Sequence, residues 1–415
     1  MKVVIIAGGK GTRIASVASD IPKSMIPVAG KPVVEYQIEL AKRYGLTDIL
    51  FIIGHLGEQI KEYFGDGSKW GVSIEYFLET EPLGTAGALP LVKDKLTESF
   101  FVFYGDTVMD FDMHEMLKFH QDKESDATLF LHPNDHPYDS DLVVLNEDYR
   151  VKEFIFKPHD NLYSYKNSVN AALYILNKSC VDYIPQGKCA FEKGLFPKLL
   201  DAGLSLNGYV STEYIKDMGT PDRWEKVGKD ITSGKVARLN IKNKRPAIFL
   251  DRDGVICKEV DLLHKKEQVS LIKGVSEAIK KINKSDFLTI IVTNQPVIAR
   301  NLCTFEELNS IHNRLETLLG EENAYIDAIY FCPHHPDKGY PEERVEYKVE
   351  CECRKPKPGM LLQAAKDLNI DLSNSYMIGD RKSDVLAGEN AGVKESFLIG
   401  MNEDNALLNL INQLI

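Results

Sequence analysis

The chain has 415 residues, 44% of them hydrophobic and 27% charged, with a formal net charge of −11. That length suits two domains of roughly 170 to 240 residues, each able to bury a core without staples. An acidic body gains nothing from phosphate counterion release, which excludes nucleic acid and an anionic membrane surface as partners. No apolar run approaches the ~20 residues of a membrane span, and Met1 to Ala7 lacks the layout of a signal peptide, so the expected location is cytoplasmic.

Short β-rich runs alternate with polar or glycine loops and helical patterns from the first residue, at Val3–Ala7, Ile49–Ile53, Phe100–Phe103 and Asn170–Leu176. A second series follows at Ala247–Leu250, Leu288–Val292, Tyr325–Phe331 and Ser375–Ile378. The alternation predicts an α/β protein with mostly parallel sheets covered by helices. In the second series three strands deliver polar signatures at their C-terminal ends: Asp251, Thr293–Asn294 and Gly379–Asp380. Ligand sites of open α/β sheets lie at such ends. Thr232 to Arg245 is rich in Lys, Arg and Asn and poor in apolar residues. The expected division is a domain over 1–235, a linker over 236–245 and a domain over 246–415.

Behind the first strand, Gly8, Gly9 and Gly11 allow a tight turn whose amides face phosphate oxygens, with Thr12 in the same loop and Arg13 and Lys23 as fixed cations. Further along stand Pro22-Lys23, Gly30-Lys31-Pro32, Pro82-Leu83-Gly84-Thr85-Ala86-Gly87, Tyr104-Gly105-Asp106 and Asp217-Met218-Gly219-Thr220-Pro221. In this order the set resembles the sugar-1-phosphate nucleotidyltransferases, whose fold is Rossmann-like (GT-A-like). The resemblance implies that Gly8 to Arg13 hold the triphosphate, Lys23 touches the α-phosphate and Leu83 to Ala88 line the base. It also implies Mg²⁺ on Asp106 and Asp217, two carboxylates suited to a hard cation. No protein nucleophile is needed, because the sugar phosphate's own oxygen attacks the α-phosphorus and pyrophosphate leaves. Asn170 to Tyr174 and Phe191 to Gly194 resemble the sugar-contact segments, which gives Asn170, Glu192 and Lys193 as sugar-phosphate ligands. Ala172 stands where that family usually has glycine, and Phe156-Lys157-Pro158 replaces Glu-Lys-Pro. Both changes fit either a reshaped sugar pocket or drift at packing positions.

In the second half, Asp251-Arg252-Asp253-Gly254 places two carboxylates at one strand end, where both can flank a phosphate. With Thr293-Asn294-Gln295, Arg354-Lys355-Pro356 and Gly379-Asp380-Arg381-Lys382-Ser383-Asp384, residues from about 246 to 415 resemble the haloacid dehalogenase (HAD) superfamily, itself Rossmannoid. The resemblance makes Asp251 the nucleophile and Asp253 the general acid and base. Thr293 and Lys355 then neutralise phosphoryl oxygens, and Mg²⁺ sits on Asp251, the Asp253 carbonyl and Asp380, with Asp384 behind them. Asn294 and Arg354 are further candidates for binding the sugar phosphate.

Cys332, His334, Cys351 and Cys353 form a Cys-x-His and a Cys-x-Cys pair, the donor set of a closed structural Zn²⁺ site, with His335 as bystander. That loop and Cys-Arg-Lys-Pro-Lys-Pro-Gly-Met resemble the D,D-heptose 1,7-bisphosphate phosphatases and their histidinol-phosphatase relatives. Pro296-Val297-Ile298-Ala299-Arg300 departs from their usual Ser-Gly-Ile-Ala-Arg. Sugar 1-phosphates on one side and heptose bisphosphate or histidinol phosphate on the other intersect at heptose. The expectation is a bifunctional enzyme that removes the 7-phosphate of heptose 1,7-bisphosphate and joins heptose 1-phosphate to a nucleotide, with GTP chosen by family association. The alternatives are a hexose transferase fused to an unrelated phosphatase, and a phosphatase regulated by a degenerate nucleotide-sugar sensor.

Overall fold

The computed structural model describes residues 1–415 apart from 10–13, 15, 17–19, 160–163 and 340–341. Its contacts divide the chain into two units. The first holds Met1–His132, Val143–Ile155 and Asn170–Asn240; the second holds Pro133–Leu142, Phe156–Val169 and Ile241–Ile415.

The first unit is built on β1 (Lys2–Ala7), β2 (Asp48–Ile53), β3 (Ser73–Leu78) and β4 (Ser99–Tyr104), which run parallel in the order β4-β1-β2-β3. β1 reads Lys-Val-Val-Ile-Ile-Ala without alternation because both of its faces are buried, as in a parallel sheet covered on both sides. After β4 the chain makes a short strand β5 (Thr107–Asp110), and Val169–Asn177 then forms β6. β6 pairs antiparallel with β4, so the expected Asn170–Leu176 strand runs against the parallel strands it adjoins. Two apolar clusters fill the two faces, one around Val4, Phe100 and Tyr174 and the other around Ile5, Phe51 and Phe103. β7 (Tyr214–Asp217) pairs antiparallel with β5.

In the second unit β8 (Ala247–Leu250) is central, with β9 (Leu288–Asn294), β10 (Ala328–Cys332), β11 (Tyr376–Gly379) and β12 (Glu395–Leu398) around it. The order is β10-β9-β8-β11-β12 and every pairing is parallel. β10 starts later than the expected Tyr325 and ends at Cys332 itself.

The contact units and the expected division differ at three stretches. Pro133–Leu142 and Phe156–Val169, which the sequence places inside the first domain, lie with the second unit, and 236–240 lie with the first rather than in a linker. The two excursions are held by helix α1 (Phe305–Glu321). Thr317 Oγ1 accepts the Tyr165 amide at 2.9 Å and Glu316 Oε2 accepts the Asn167 amide at 2.7 Å. Tyr138 donates to Asn323 just beyond that helix at 3.0 Å. Buried backbone amides demand partners, and these side chains supply them. Among the described residues no helix is long and apolar enough to cross a membrane.

Candidate active sites

At the end of β1 the chain enters the glycine loop, of which Gly8 and Gly9 are described; Gly11, Thr12 and Arg13 lie outside the described residues. A Cβ on Gly8 would stand 2.3 Å from Glu79 Oε2, so the carboxylate rests directly against the glycine backbone. Glu79 follows β3, and its carboxyl takes a hydrogen bond from the Leu83 backbone. Its Oε1 is buried with no hydrogen-bond partner, and burial pushes its pKa upward. Glu79 therefore links the glycine loop to the stretch expected to line the base. Sequence reasoning missed it, since one glutamate ahead of a Pro-Leu-Gly turn carries no signal of its own.

Leu83 to Gly87 is stitched to the segment before Glu192. Cys189 donates its amide to Leu83 O at 2.9 Å, Ala86 donates to Cys189 O at 3.0 Å, and Thr85 Oγ1 accepts the Phe191 amide at 3.1 Å. Gly84 has φ +80°, and a Cβ there would lie 2.5 Å from Cys189 O, so both conformation and space require glycine. The nucleotide and sugar segments are thus one fabric. Glu192 Oε1 accepts hydrogen bonds from the Tyr104 and Tyr174 hydroxyls at 2.8 and 2.9 Å, and Asn170 Nδ2 donates to the Tyr174 hydroxyl at 3.0 Å. Burial, reinforced by the Glu192 charge, raises both tyrosine pKa values well above the ordinary range, so both stay donors. Lys193 follows Glu192 on the same wide helical turn, Phe191–Leu195. Ala172 adopts φ +56°, the conformation a glycine would take there. Lys157 donates to Asp139 O at 2.9 Å, inside the second unit.

Strand register brings the backbones of the two expected metal residues side by side. Asp217 ends β7 opposite Thr107, and the Met218 amide donates to Asp106 O at 2.9 Å. Lys23 pairs with Asp106, while Arg223 Nη1 holds Asp217 Oδ1 at 2.6 Å. Hard carboxylate oxygens next to the cation expected at the α-phosphate fit a divalent metal and its polyphosphate ligand.

The second unit gathers its site along the C-terminal edge of its sheet, around a cavity of about 380 Å³ lined by Asp251, Asp253, Thr293, Arg354, Lys355 and Asp384 among others. Lys355 Nζ stands 2.9 Å from Asp251 Oδ1 and 2.7 Å from Asp384 Oδ1, and donates to Val292 O at 2.8 Å. Burial works against its ammonium, but Asp251 and Asp384 outweigh that and the net shift is upward. Asn294 grips the same lysine's backbone, its Oδ1 accepting the amide at 3.0 Å and its Nδ2 donating to the carbonyl at 3.2 Å. Asp251 is pushed up to about 7, chiefly by burial, with Lys355 pulling it back and Asp384 and Asp253 adding to the rise.

Oxygens of Asp251, Asp380 and Asp384 lie within 4.8 Å of one another. Both Asp380 oxygens are buried without a hydrogen-bond partner, and burial raises its pKa. Two buried anionic oxygens without hydrogen bonds, with the Arg381 guanidinium 3.9 Å from one of them, fit a divalent cation, because burying carboxylate charge unmet costs several kcal/mol, on the order of any buried charge. Asp253 points its carboxylate at Arg252 instead, and the ligand expected from it is the carbonyl.

Cys332, His334, Cys351 and Cys353 also place their donor atoms within 4.8 Å of one another. The three Sγ–Sγ distances are 3.1, 3.3 and 3.5 Å, and His334 Nδ1 lies 3.4 and 3.7 Å from Cys353 and Cys332. The edges of a tetrahedron about a metal 2.3 Å from sulfur are about 3.7 Å, so the cluster is nearly the size a tetrahedral ion needs. The Cys353 thiol is held down to about 5, first by its hydrogen bond with Cys332 and then by His334 and Cys351. His335 is outside the cluster, 3.7 Å from Asp337. Arg354 Nη1 donates to His334 O at 3.0 Å, which ties the cluster to the residue before Lys355.

A family model described as Nucleotidyl transferase matches residues 2–234. The chain belongs to the nucleotidyl transferase family. It is 31% identical across 268 residues to a UTP–glucose-1-phosphate uridylyltransferase of Synechocystis, covering 60% of this chain and 68% of that one. It is 33% identical to a mannose-1-phosphate guanylyltransferase of Mycobacterium tuberculosis, over 56% of this chain and 64% of that one. A HAD-hydrolase-like model matches residues 352–400 of this nucleotidyl transferase. Its second half is 41% identical over 156 residues to the D-glycero-beta-D-manno-heptose-1,7-bisphosphate 7-phosphatase of Haemophilus ducreyi, covering 37% of this chain and 83% of that enzyme. The chain thus joins a nucleotidyltransferase half to a HAD-type phosphatase half.

Proposed function

We propose that the two halves catalyse consecutive steps. The phosphatase half removes the 7-phosphate of D-glycero-D-manno-heptose 1,7-bisphosphate, and the transferase half joins the resulting heptose 1-phosphate to GMP from GTP. The observation that carries this is the joining, on one chain, of a site built around sugar and nucleotide segments to a phosphatase whose relative acts on heptose bisphosphate.

In the phosphatase half the Asp251 carboxylate attacks phosphorus, and the P–O bond to the sugar breaks as Asp253 protonates the departing oxygen. Asp253 then takes a proton from water, which attacks the aspartyl-phosphate and frees inorganic phosphate with Asp251 restored. Thr293 and Lys355 spread the phosphoryl charge. Asp251, Asp380 and the Asp253 carbonyl would hold Mg²⁺, which supplies further charge neutralisation when bound. Cys332, His334, Cys351 and Cys353 would hold Zn²⁺ as a structural ion that fixes the loop ahead of Lys355. In the transferase half Lys23 steadies the α-phosphate, Asp106 and Asp217 would hold Mg²⁺, and Asn170, Glu192 and Lys193 orient the sugar phosphate.

Glu79 supports guanine as the base. Two adjacent N–H donors on guanine's pairing edge match a carboxylate's two oxygens, whereas uracil and thymine offer one donor between two acceptors. The test is pyrophosphate release from GTP, UTP, CTP and dTTP with the α and β anomers of heptose 1-phosphate and with mannose 1-phosphate. Heptose 1-phosphate with GTP should be fastest. Equal rates with mannose 1-phosphate, or a faster pyrimidine nucleotide, would overturn the assignment.

A further inference from the structure

Arg252 sits between the two aspartates of the phosphatase site and is 0% exposed, although a buried guanidinium is costly unless its charge is met. It is met by Asp253. Arg252 Nε donates to Asp253 Oδ1 at 2.9 Å and Nη2 donates to Asp253 Oδ2 at 2.8 Å, a two-pronged pair that fixes the plane of the carboxylate as well as its place. Gln295 closes the ring. Its Oε1 accepts from Arg252 Nη2 at 2.9 Å, and its Nε2 donates to Asp253 Oδ2 at 2.9 Å and to Thr293 Oγ1 at 2.8 Å. The reverse amide orientation would set N–H against N–H at one end and oxygen against carboxylate at the other, so the ring has one sense. Gln295 is 1% exposed. Arg252 also donates its backbone amide to Asp251 Oδ1 at 2.8 Å, so one residue touches both aspartates.

We infer that Arg252 and Gln295 form a cradle that positions Asp253 for its proton transfers and couples it to Thr293. The inference rests on the reading of Asp253 as the general acid and base. Arg252 and Gln295 both act through Asp253, whose two jobs need one carboxylate in one fixed orientation at successive moments. A loose Asp253 would sweep through orientations that reach neither the leaving oxygen nor the attacking water. Positioning of this kind accounts for much of what a general acid and base contributes.

The experiment uses the full chain with Mg²⁺ and compares heptose 1,7-bisphosphate with p-nitrophenyl phosphate, whose leaving group departs without a proton. Arg252→Met and Gln295→Leu should each lower turnover of both substrates about 10- to 100-fold, because hydrolysis of the aspartyl-phosphate is common to both. With p-nitrophenyl phosphate, the pre-steady-state burst of nitrophenolate should stay within about threefold of wild type, because that step needs Asp251 and Lys355 but no acid. In an Asp253→Ala background either substitution should add less than about a twofold loss. Gln295→Leu keeps the question open to measurement should the buried Arg252→Met fail to fold. A burst slowed as much as turnover, or losses that multiply in the Asp253→Ala background, would overturn the cradle. Wild-type turnover by Asp253→Ala itself would instead overturn the acid–base reading, and the cradle with it.

Discussion

Replacing Asp251 by asparagine should abolish phosphatase turnover and at the same time stabilise the metal-free phosphatase unit above neutral pH. The carboxyl is 7% exposed, and burial is the main reason its pKa rises from 3.8 to about 7. A group that binds its proton more tightly in the folded state than in the unfolded chain destabilises the fold as pH rises through that interval. At about 1.4 kcal/mol per unit, the deficit is about 4 kcal/mol at pH 8 and only about 1 kcal/mol at pH 4.5, where the folded carboxyl is already protonated. The amide keeps an oxygen for the Arg252 amide and for Lys355, so the substitution removes a charge and few contacts. For a unit of this size each kcal/mol moves Tm by about 2–4 °C, so the variant should melt about 8 °C or more above wild type at pH 8. Calorimetry of both proteins in EDTA at pH 8 and pH 4.5 measures this directly. A variant no more stable than wild type at pH 8, or one equally stabilised at both pH values, would refute the reasoning. Added Mg²⁺ should narrow the gap, since it binds the wild-type carboxylate and stabilises by mass action.

Asp106→Ala or Asp217→Ala should cut nucleotide-sugar formation at least about 100-fold while leaving phosphate release from the bisphosphate intact, because each removes a carboxylate where polyphosphate charge must be neutralised. Coupled assays of pyrophosphate and phosphate on the same preparation separate the two activities. Cys351→Ser should lose the one zinc per chain that elemental analysis is expected to find in wild type. It should also weaken the phosphatase about 10-fold or more without touching a residue of its chemistry, through the tie from His334 to Arg354 beside Lys355.

Much of this was legible in the sequence, for reasons that differ between sites. Ala247–Leu250 and Leu288–Val292 are short continuous apolar runs that end in Asp251 and Thr293–Asn294, and a parallel sheet puts such ends on one edge. The four sulfur and nitrogen donors were readable because a Cys-x-His and a Cys-x-Cys pair need only one loop closure to converge. The excursions over 133–142 and 156–169 were not readable. Glu316 and Thr317, which hold 156–169, stand about 150 positions away on a helix whose polar face looks like any solvated face, and Asn323, which Tyr138 reaches, lies farther still. Arg252 and Gln295 were visible as letters of their motifs, but a buried two-pronged ion pair is a property of three dimensions.

Ala172 shows most clearly what structure adds to a residue the sequence left undecided. An alanine in a relaxed backbone would sit at negative φ. The observed φ of +56° is instead the left-handed conformation, which costs an L-residue roughly 1–2 kcal/mol. Something must hold it there. The Ala172 amide donates to Asn170 Oδ1 at 3.3 Å, while Asn170 Nδ2 is committed to the Tyr174 hydroxyl, which in turn donates to Glu192. The turn that strains Ala172 is therefore the one that aims Asn170 into the tyrosine–glutamate network. Backbone strain sustained beside such a network is the mark of a functional constraint. The constraint belongs to the turn itself, which the family's usual glycine would share, and the Ala172 methyl is what this chain adds to it.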